Sequence, residues 1–443
     1  MLACTTVMPD ERETTLPSTS DGSDASDERL ALVCLGSPER EFAHAGSVYR
    51  LSGVGRVRFG RSVDQKWDHG QRDGVVEIAV PLPWVSSVHA ELHLDGPRLR
   101  IVDCGSRNGT LVENKRIGTQ AGLSVGRVFE IGRSFWMLRR VRSTIDPTEP
   151  GQAPRFACNE VRTLQRVIAR LAPSTVPILL YGETGTGKER LARAIHVRSG
   201  RKGPFVPINV AGSIERLLQG RAERLLAARG GTLYLDDIGE LAPEDQTKLT
   251  SALMSHAHES REEGDTVQIR LVSSSTRDLR TMVEAGNFRP DLLGRLAGYE
   301  ARLPPLRERR EDLGLLAMDV LRRQARGGSI PKLSSAVFRS MLEHPWPFNL
   351  RELEHSLMAA RSLVEGDPGE IDLEIWKQVC WKVEGGDPSP SRVEAVRREL
   401  VQQLARHRGE LDAVAQALQC EVEDVQRWAK RFSLRPERYR DAG

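Results

Sequence analysis

Gly182-Glu183-Thr184-Gly185-Thr186-Gly187-Lys188 decides how this chain is read. An apolar run, Ile178-Leu179-Leu180-Tyr181, precedes it, and a helical pattern through Ile195 follows. Strand, glycine-rich loop and helix in that order make the first part of a P-loop, G-x-x-x-x-G-K. The glycines let backbone N–H groups converge on phosphate oxygens, and the following helix adds the positive end of its dipole. Lys188 would neutralise the terminal phosphates, so ATP is the expected ligand. Position 189 is Glu, where a general P-loop has Ser or Thr for magnesium, so Mg2+ must lean on other groups. Those groups stand in Thr232-Leu233-Tyr234-Leu235-Asp236-Asp237, an apolar strand ending in two acids. Asp236 is expected to hold Mg2+, directly or through water, and Asp237 to polarise the attacking water. Alone, such a run equally fits a strand that ends at a solvated acidic turn. The P-loop upstream tips the balance toward chemistry.

Around this centre the texture is regular. Val161 to Leu171 reads as an amphipathic helix. The strands Phe205–Ile208, Thr232–Leu235 and Ile269–Val272 alternate with helical stretches, which predicts a doubly wound parallel sheet over residues 155–310. Residues 311–383 are helical in pattern. Upstream, over 30–140, short strand-like runs alternate with glycine turns: Ala31–Leu35, Val57–Phe59, Val75–Val80, Leu92–Leu94 and Leu99–Val102. That spacing suggests a β-sandwich. Residues 1–29 are rich in Ser, Thr, Asp and Glu and read as a disordered tail. Residues 141–154, with Pro147, Pro150 and Pro154, and residues 384–391, with Pro388 and Pro390, read as linkers. Helical signals resume over 392–443. The expected fold class is multidomain: a β-sandwich, an α/β P-loop unit with a helical companion, and a small all-α unit.

Composition narrows the function classes. A chain of 443 residues accommodates roughly two to four domains. The formal net charge is only +3, so any nucleic-acid surface must be local. The six cysteines are far apart and form no CxxC pair, which indicates neither a zinc site nor a disulfide framework. Reduced thiols fit a cytoplasmic protein best. No apolar run reaches about 18 residues, and the N-terminus lacks a signal-peptide pattern, so no membrane partner is expected.

Residues 155–380 resemble the AAA+ domain of sigma-54-dependent transcriptional activators, the bacterial enhancer-binding proteins. The likeness is carried by the P-loop with Glu189, by Gly230-Gly231-Thr232-Leu233-Tyr234-Leu235-Asp236-Asp237-Ile238-Gly239-Glu240-Leu241, and by Phe288-Arg289-Pro290-Asp291-Leu292. Leu303-Pro304-Pro305-Leu306-Arg307-Glu308-Arg309 and Asn349-Leu350-Arg351-Glu352-Leu353-Glu354 complete it. The resemblance implies a ring-forming ATPase with a helical lid over 311–383. It implies that Arg289 and Arg295 are arginine fingers, Arg351 the lid's sensor arginine, and Asn209 a switch that couples nucleotide state to the catalytic acid. Three departures stand out. The usual catalytic Glu is Asp237, one methylene shorter, which predicts slowed hydrolysis because a base must reach its proton within hydrogen-bond distance. The usual sensor Asn is Thr276. The GAFTGA loop that contacts sigma-54 has no counterpart: the interval Val210 to Arg229 is short and has no aromatic residue. Sigma-54 RNA polymerase is therefore not expected as a partner in the usual way.

Residues 30–140 resemble a forkhead-associated (FHA) domain through Gly60-Arg61, Ser86-Ser87-Val88-His89 and Gly105-Ser106-Arg107-Asn108-Gly109-Thr110. The resemblance implies that loops at one end of the sandwich bind a phosphothreonine peptide through Arg61, Ser86, Ser87, Ser106, Arg107 and Asn108. Arg61 offers a charged fork, Ser86 and Ser106 donate hydroxyl hydrogen bonds, and Asn108 holds the peptide backbone. His89 buttresses the loops. Residues 392–443 are similar to a Fis-type helix-turn-helix, with Leu411–Leu418 as first helix and Val422–Phe432 as recognition helix. Glu421, Glu423 and Asp424 open that helix and repel phosphates, while Arg427, Lys430 and Arg431 favour DNA.

Two main readings follow. One is an FHA-gated transcriptional regulator that binds ATP, Mg2+ and DNA and self-associates into a ring. The other is a phosphopeptide-recruited scaffold with a degenerate AAA+ domain and no DNA-specific activity. An ATPase that remodels some other protein is a third.

Overall fold

The computed structural model describes residues 28–64, 66–94, 99–142, 156–210, 227–262, 269–325, 329–366, 369–380, 400–418, 422–432, 434 and 436–439. The expected tail up to residue 27, linker residues 143–154 and 384–391, and residues 211–226 of the interval before Arg229 lie outside them. So do Glu421 and the side chains of Glu423, Asp424, Arg427, Lys430 and Arg431.

The first unit is a sandwich of two six-stranded sheets. One sheet contains β1 (Glu28–Gly36), β2 (Val48–Arg50), β8 (Thr110–Val112), β9 (Lys115–Arg116), β11 (Val128–Ile131) and β12 (Ser134–Arg142), in the order β2-β1-β12-β11-β8-β9. The other contains β3 (Arg56–Arg61), β4 (Asp68–Arg72), β5 (Val75–Val80), β6 (Ala90–His93), β7 (Leu99–Asp103) and β10 (Gln120–Leu123), in the order β10-β7-β6-β3-β5-β4. The sandwich thus begins two residues before the expected Leu30 and ends two after Arg140. Leu32, Phe59, Ile78, Phe129, Trp136 and Leu138 fill its core. The Trp136 indole donates to the Ser134 hydroxyl at 2.9 Å, so its one polar atom is satisfied inside.

The second unit is a five-stranded parallel sheet, order β14-β15-β16-β13-β17. Its strands are β13 (Ile178–Tyr181), β14 (Phe205–Asn209), β15 (Thr232–Asp236), β16 (Arg270–Ser275) and β17 (Tyr299–Arg302). Helices α1 (Asn159–Leu171), α2 (Lys188–Ser199), α3 (Pro243–Glu262), α4 (Leu279–Glu284) and α5 (Pro290–Leu296) accompany it. Ile178, Leu180 and Tyr234 pack with Leu164, Ile168 and Ile195, while Leu179, Leu233 and Leu235 pack with Leu249, Leu279 and Leu292. Neighbouring strand residues thus belong to opposite faces, and both faces are covered, as a parallel sheet requires. The lid follows as α6 (Leu313–Ala325), α7 (Ser335–Glu343), α8 (Asn349–Leu363) and α9 (Leu373–Val379), with the short pair β18 (Lys332–Leu333) and β19 (Glu370–Ile371).

The sandwich and the lid share one core. Phe135 and Met137 of β12, together with Leu35, Phe42 and Val128, pack among Leu313, Ala317, Phe338, Met341 and Leu342 of the lid. Phe338 receives Phe42 and Phe135 edge-on at centroid distances of 4.7 and 4.9 Å. Arg339 donates to both Glu130 carboxylate oxygens at 2.7 Å, and Arg139 donates to Glu311 at 2.6 Å. Alternate residues of β12 therefore serve different cores: Trp136 and Leu138 the sandwich, Phe135 and Met137 the lid. At the far end, residues 400–406, α10 (Leu411–Leu418) and α11 (Val422–Arg431) pack Leu400, Leu404, Val414 and Val425 around Phe348 and Phe432.

Candidate functional site

The P-loop joins β13 to α2, with Gly187 in a left-handed conformation just before Lys188. Gly185 has φ +78°, and a Cβ there would lie 2.1 Å from the Phe348 carbonyl oxygen. Only glycine lets the loop pass that close to the lid. The Leu350 N–H donates to the Gly185 carbonyl at 2.9 Å, and Arg351 stands beside the same glycine. The buried Lys188 ammonium donates to the carbonyls of Gly182 (2.7 Å) and Glu183 (3.0 Å). Left-handed glycines, a lysine held over the loop and a helix N-terminus form a cradle that fits a nucleotide's phosphates.

Three side chains of the loop and its helix have partners within the protein. The Glu183 carboxylate turns to the lid side, where Arg307 donates to both of its oxygens at 2.8 and 2.6 Å and Asn349 Nδ2 donates at 3.1 Å. Its charge is matched there, so its side chain ties the loop down. The Thr186 hydroxyl donates to the Glu183 carbonyl at 2.8 Å and closes the loop. Glu189 faces solvent and accepts from Arg193 at 2.8 Å. The tie continues through Asn349, which accepts from the Leu306 N–H at 2.7 Å and donates to the Thr184 carbonyl at 3.0 Å. Buried Arg309 donates to the Thr186 carbonyl at 3.0 Å. Buried Asp312 accepts from the N–H groups of Ala157 and Cys158. Burial and the charge of Glu311 push the Asp312 carboxyl up to about 7, against the pull of Arg309 and those two bonds. Sequence reading did not assign these ties, although Arg307, Arg309 and Asn349 stand in the motifs that carried the resemblance.

Asp236 ends β15 and Asp237 follows it. Asp236 Oδ1 accepts from the Tyr234 hydroxyl at 2.8 Å and the Ser274 hydroxyl at 2.6 Å. Burial, then the Asp236 charge, push the Tyr234 phenol up, so it stays a donor. Asp237 is buried in a left-handed conformation, φ 60°. Its Oδ1 accepts from the Thr276 N–H at 3.2 Å and the Thr276 hydroxyl at 2.9 Å. The expected base and the expected sensor are thus in direct contact. Asn209 lies opposite Asp236 in the β14–β15 register. Arg289 precedes α5 and donates to both Asp291 oxygens at 3.0 and 2.7 Å; Arg295 lies in the last turn of that helix.

At the sandwich end, Arg61, Ser87, Arg107 and Asn108 are exposed and Ser86 is half-buried. The Arg61 N–H donates to the Ser86 carbonyl at 2.9 Å, and the Arg107 N–H donates to the Ser86 hydroxyl oxygen at 3.1 Å. His89 is fully buried. Its Nδ1 accepts from the Ser86 N–H at 3.1 Å, so Nε2 carries the proton and donates to the Gly109 carbonyl at 3.2 Å. Burial lowers its pKa, which favours this neutral buttress. The Ser106 hydroxyl donates to Asp103 at 2.7 Å and accepts from the Gly109 N–H at 2.9 Å, so it shapes the loop. Asn108 Nδ2 donates to the Trp84 carbonyl at 2.8 Å.

Comparison with known proteins agrees with this architecture. The chain carries a match to the Sigma-54 interaction domain over residues 157–306, to the FHA domain over 57–132 and to the AAA+ ATPase lid domain over 307–376. Regulatory protein LuxO of Vibrio cholerae is 41% identical over 211 residues, covering 43% of this chain and 40% of that protein. Response regulator protein PilR of Pseudomonas aeruginosa is 34% identical over 269 residues, covering 55% of this chain and 59% of that protein. The chain therefore spans between 40% and 59% of the length of these two relatives. The crystal structure of NtrX from Brucella abortus in complex with ATP aligns with 27% identity and a TM-score of 0.44, over 63% of this chain and 69% of that one. Among the described residues, no helix is long and apolar enough to cross a membrane.

Proposed function

We propose that this chain is an ATP-binding transcriptional regulator, gated by a phosphothreonine-containing protein and slow to hydrolyse ATP. Gly182–Gly187, Lys188 and Arg351 surround ATP, and Asp236 holds Mg2+. Mg2+ held there would supply positive charge to offset the charge that develops on the phosphates. Arg289 and Arg295 reach a neighbouring subunit's nucleotide in a ring. Arg61, Ser86, Ser87, Arg107 and Asn108 receive the phosphopeptide, on a loop shaped by Ser106. DNA is the proposed ligand of Arg427, Lys430 and Arg431. Control acts without the usual sigma-54 loop, through DNA or through mixed rings with an intact activator. The observation that carries the reading is the shared lid: one side clasps the P-loop through Glu183, and another packs the sandwich through Phe338. ATP turnover and DNA capture by the purified chain test it, with Lys188→Ala as control. Slow turnover and captured DNA, the turnover lost in the control, support the reading; neither turnover nor captured DNA contradicts it.

The scaffold reading is favoured by one observation, the Asp237–Thr276 contact, which occupies the base. It predicts phosphopeptide binding with no captured DNA and no turnover.

A further inference from the structure

The segment from Pro81 to Ser86 has two sides. On one side it belongs to the phosphopeptide loops: Ser86 lies there, and the Trp84 carbonyl accepts from Asn108 Nδ2 at 2.8 Å. On the other side it touches the piece of the sandwich that docks on the lid. The Arg40 guanidinium donates to the Pro81 carbonyl at 3.2 Å. The Arg133 guanidinium lies over the Trp84 ring, 4.2 Å from its centroid, and donates to Glu39 at 2.7 Å. Glu39 in turn accepts from Ser335, the first residue of α7, at 3.5 Å. Three residues on, Phe42 meets Phe338 of the same helix.

The turn that delivers Arg133 is built for this contact. Gly132 and Arg133 have φ +51° and +64° and connect β11 to β12 across the pair Ile131–Ser134. Two left-handed residues in a two-residue hairpin define a type I′ turn. A Cβ on Gly132 would lie 2.5 Å from the Val85 side chain and 2.8 Å from the Trp84 carbonyl oxygen. Glycine therefore lets the turn press directly on the loop. Arg133 accepts a left-handed conformation that costs a non-glycine residue energy. That cost is offset by a stacked, charge-assisted position between the loop and Glu39.

We infer that occupancy of the phosphopeptide loops is transmitted to the ATPase lid through Asn108, Trp84, Arg133, Glu39 and Ser335. This inference rests on the phosphopeptide reading of those loops. A bound peptide backbone competes with the Trp84 carbonyl for the Asn108 amide. Release of Trp84 loosens the Arg133 stack and its ion pair with Glu39. Helix α7 loses that support, and the lid that clasps the P-loop becomes easier to open. Trp84, Arg133 and Glu39 are positioning residues, since they act through their neighbours and touch no nucleotide.

The test is hydrogen exchange of the Ser335–Glu343 amides in the full chain. The probe is a pool of phosphothreonine peptides with randomised flanks, beside its unphosphorylated counterpart. Peptide binding is measured separately by fluorescence anisotropy. Wild type is expected to bind only the phosphorylated pool and to exchange at least about threefold faster in α7 when bound. Arg133→Ala and Glu39→Gln are expected to bind that pool within about twofold of wild type, yet show no peptide-dependent change in α7. Arg61→Ala is expected to lose binding and the change together. Binding with α7 unaltered, or a full α7 response in both Arg133→Ala and Glu39→Gln, overturns the relay and leaves the phosphopeptide reading intact. No phosphate-dependent binding by wild type overturns that reading and the relay's input with it. Glu39→Gln preserves size and shape, so a folding defect confined to Arg133→Ala does not decide the outcome.

Discussion

At the residue scale, the pair Asp237–Thr276 sets the chemistry. A carboxylate that accepts two hydrogen bonds from Thr276 is held in place by them, and Asp is one methylene short of Glu. The double variant Asp237→Glu with Thr276→Asn restores reach and frees the base. Its steady-state ATP turnover is expected to exceed wild type by about tenfold or more. A second residue-scale prediction concerns His344. Burial alone would lower its pKa, but bonds to Cys380 and to the Glu352 carboxylate, at 2.7 Å, outweigh this and raise it to about 9. A folded-state value above the ordinary 6.5 means stability that is fully present below pH 6.5 and lost as pH rises through 9. Urea unfolding between pH 6.5 and 9.5 is expected to lose up to about 3 kcal/mol, and His344→Gln to flatten that slope. The Asp312 carboxyl, raised to about 7, also favours the folded chain at lower pH, but mostly below the window of this measurement.

At the element scale, the clasp between P-loop and lid decides whether the cradle keeps its shape. Arg307→Ala strips Glu183 of its bidentate partner and leaves a half-buried carboxylate with Asn349 alone. A loss of about 1–3 kcal/mol in urea unfolding is expected, with weaker binding of a fluorescent ATP analogue. Much of the element plan was legible in the sequence. The strand, loop and helix around Lys188 announce themselves by spacing, and Thr232–Asp236 by its apolar run into two acids. A helix falls on Leu411–Leu418 as read. Strand β4 was not legible, because Asp68-His69-Gly70-Gln71-Arg72 is exposed throughout and has no alternation to detect. The clasp was equally hidden: Glu183 and Arg307 are 124 positions apart, and motif order does not say which side chains meet. The partner of the Ser106 hydroxyl was hidden for a related reason. Sequence places the serine on the loop, but only the fold shows that Asp103 claims its proton. One signal was present and unused: Phe135-Trp136-Met137-Leu138 is apolar without alternation, the mark of a strand buried on both faces.

At the scale of the whole molecule, the sandwich and the lid share Phe42, Phe135 and Phe338 in one core and are expected to unfold as one body. Phe338→Ala is expected to cost about 3–5 kcal/mol and to split a single urea transition of the sandwich and lid into two, read by tryptophan fluorescence. The C-terminal helices join the same body through Phe348, whose ring meets Phe432 at 4.9 Å while its carbonyl borders Gly185 of the P-loop. The P-loop, the sandwich and the C-terminal helices are therefore all anchored to one lid. The ATPase site proposed for this chain binds firmly and cleaves slowly. A single-turnover chase tests this most directly: the chain is loaded with labelled ATP and Mg2+, chased with unlabelled ATP, and bound label and released phosphate are followed over time. Wild type is expected to retain uncleaved ATP at least about tenfold longer than the Asp237→Glu, Thr276→Asn double variant, with none retained by Lys188→Ala. Cleavage by wild type as fast as by the double variant, or retention no greater than in Lys188→Ala, would contradict it.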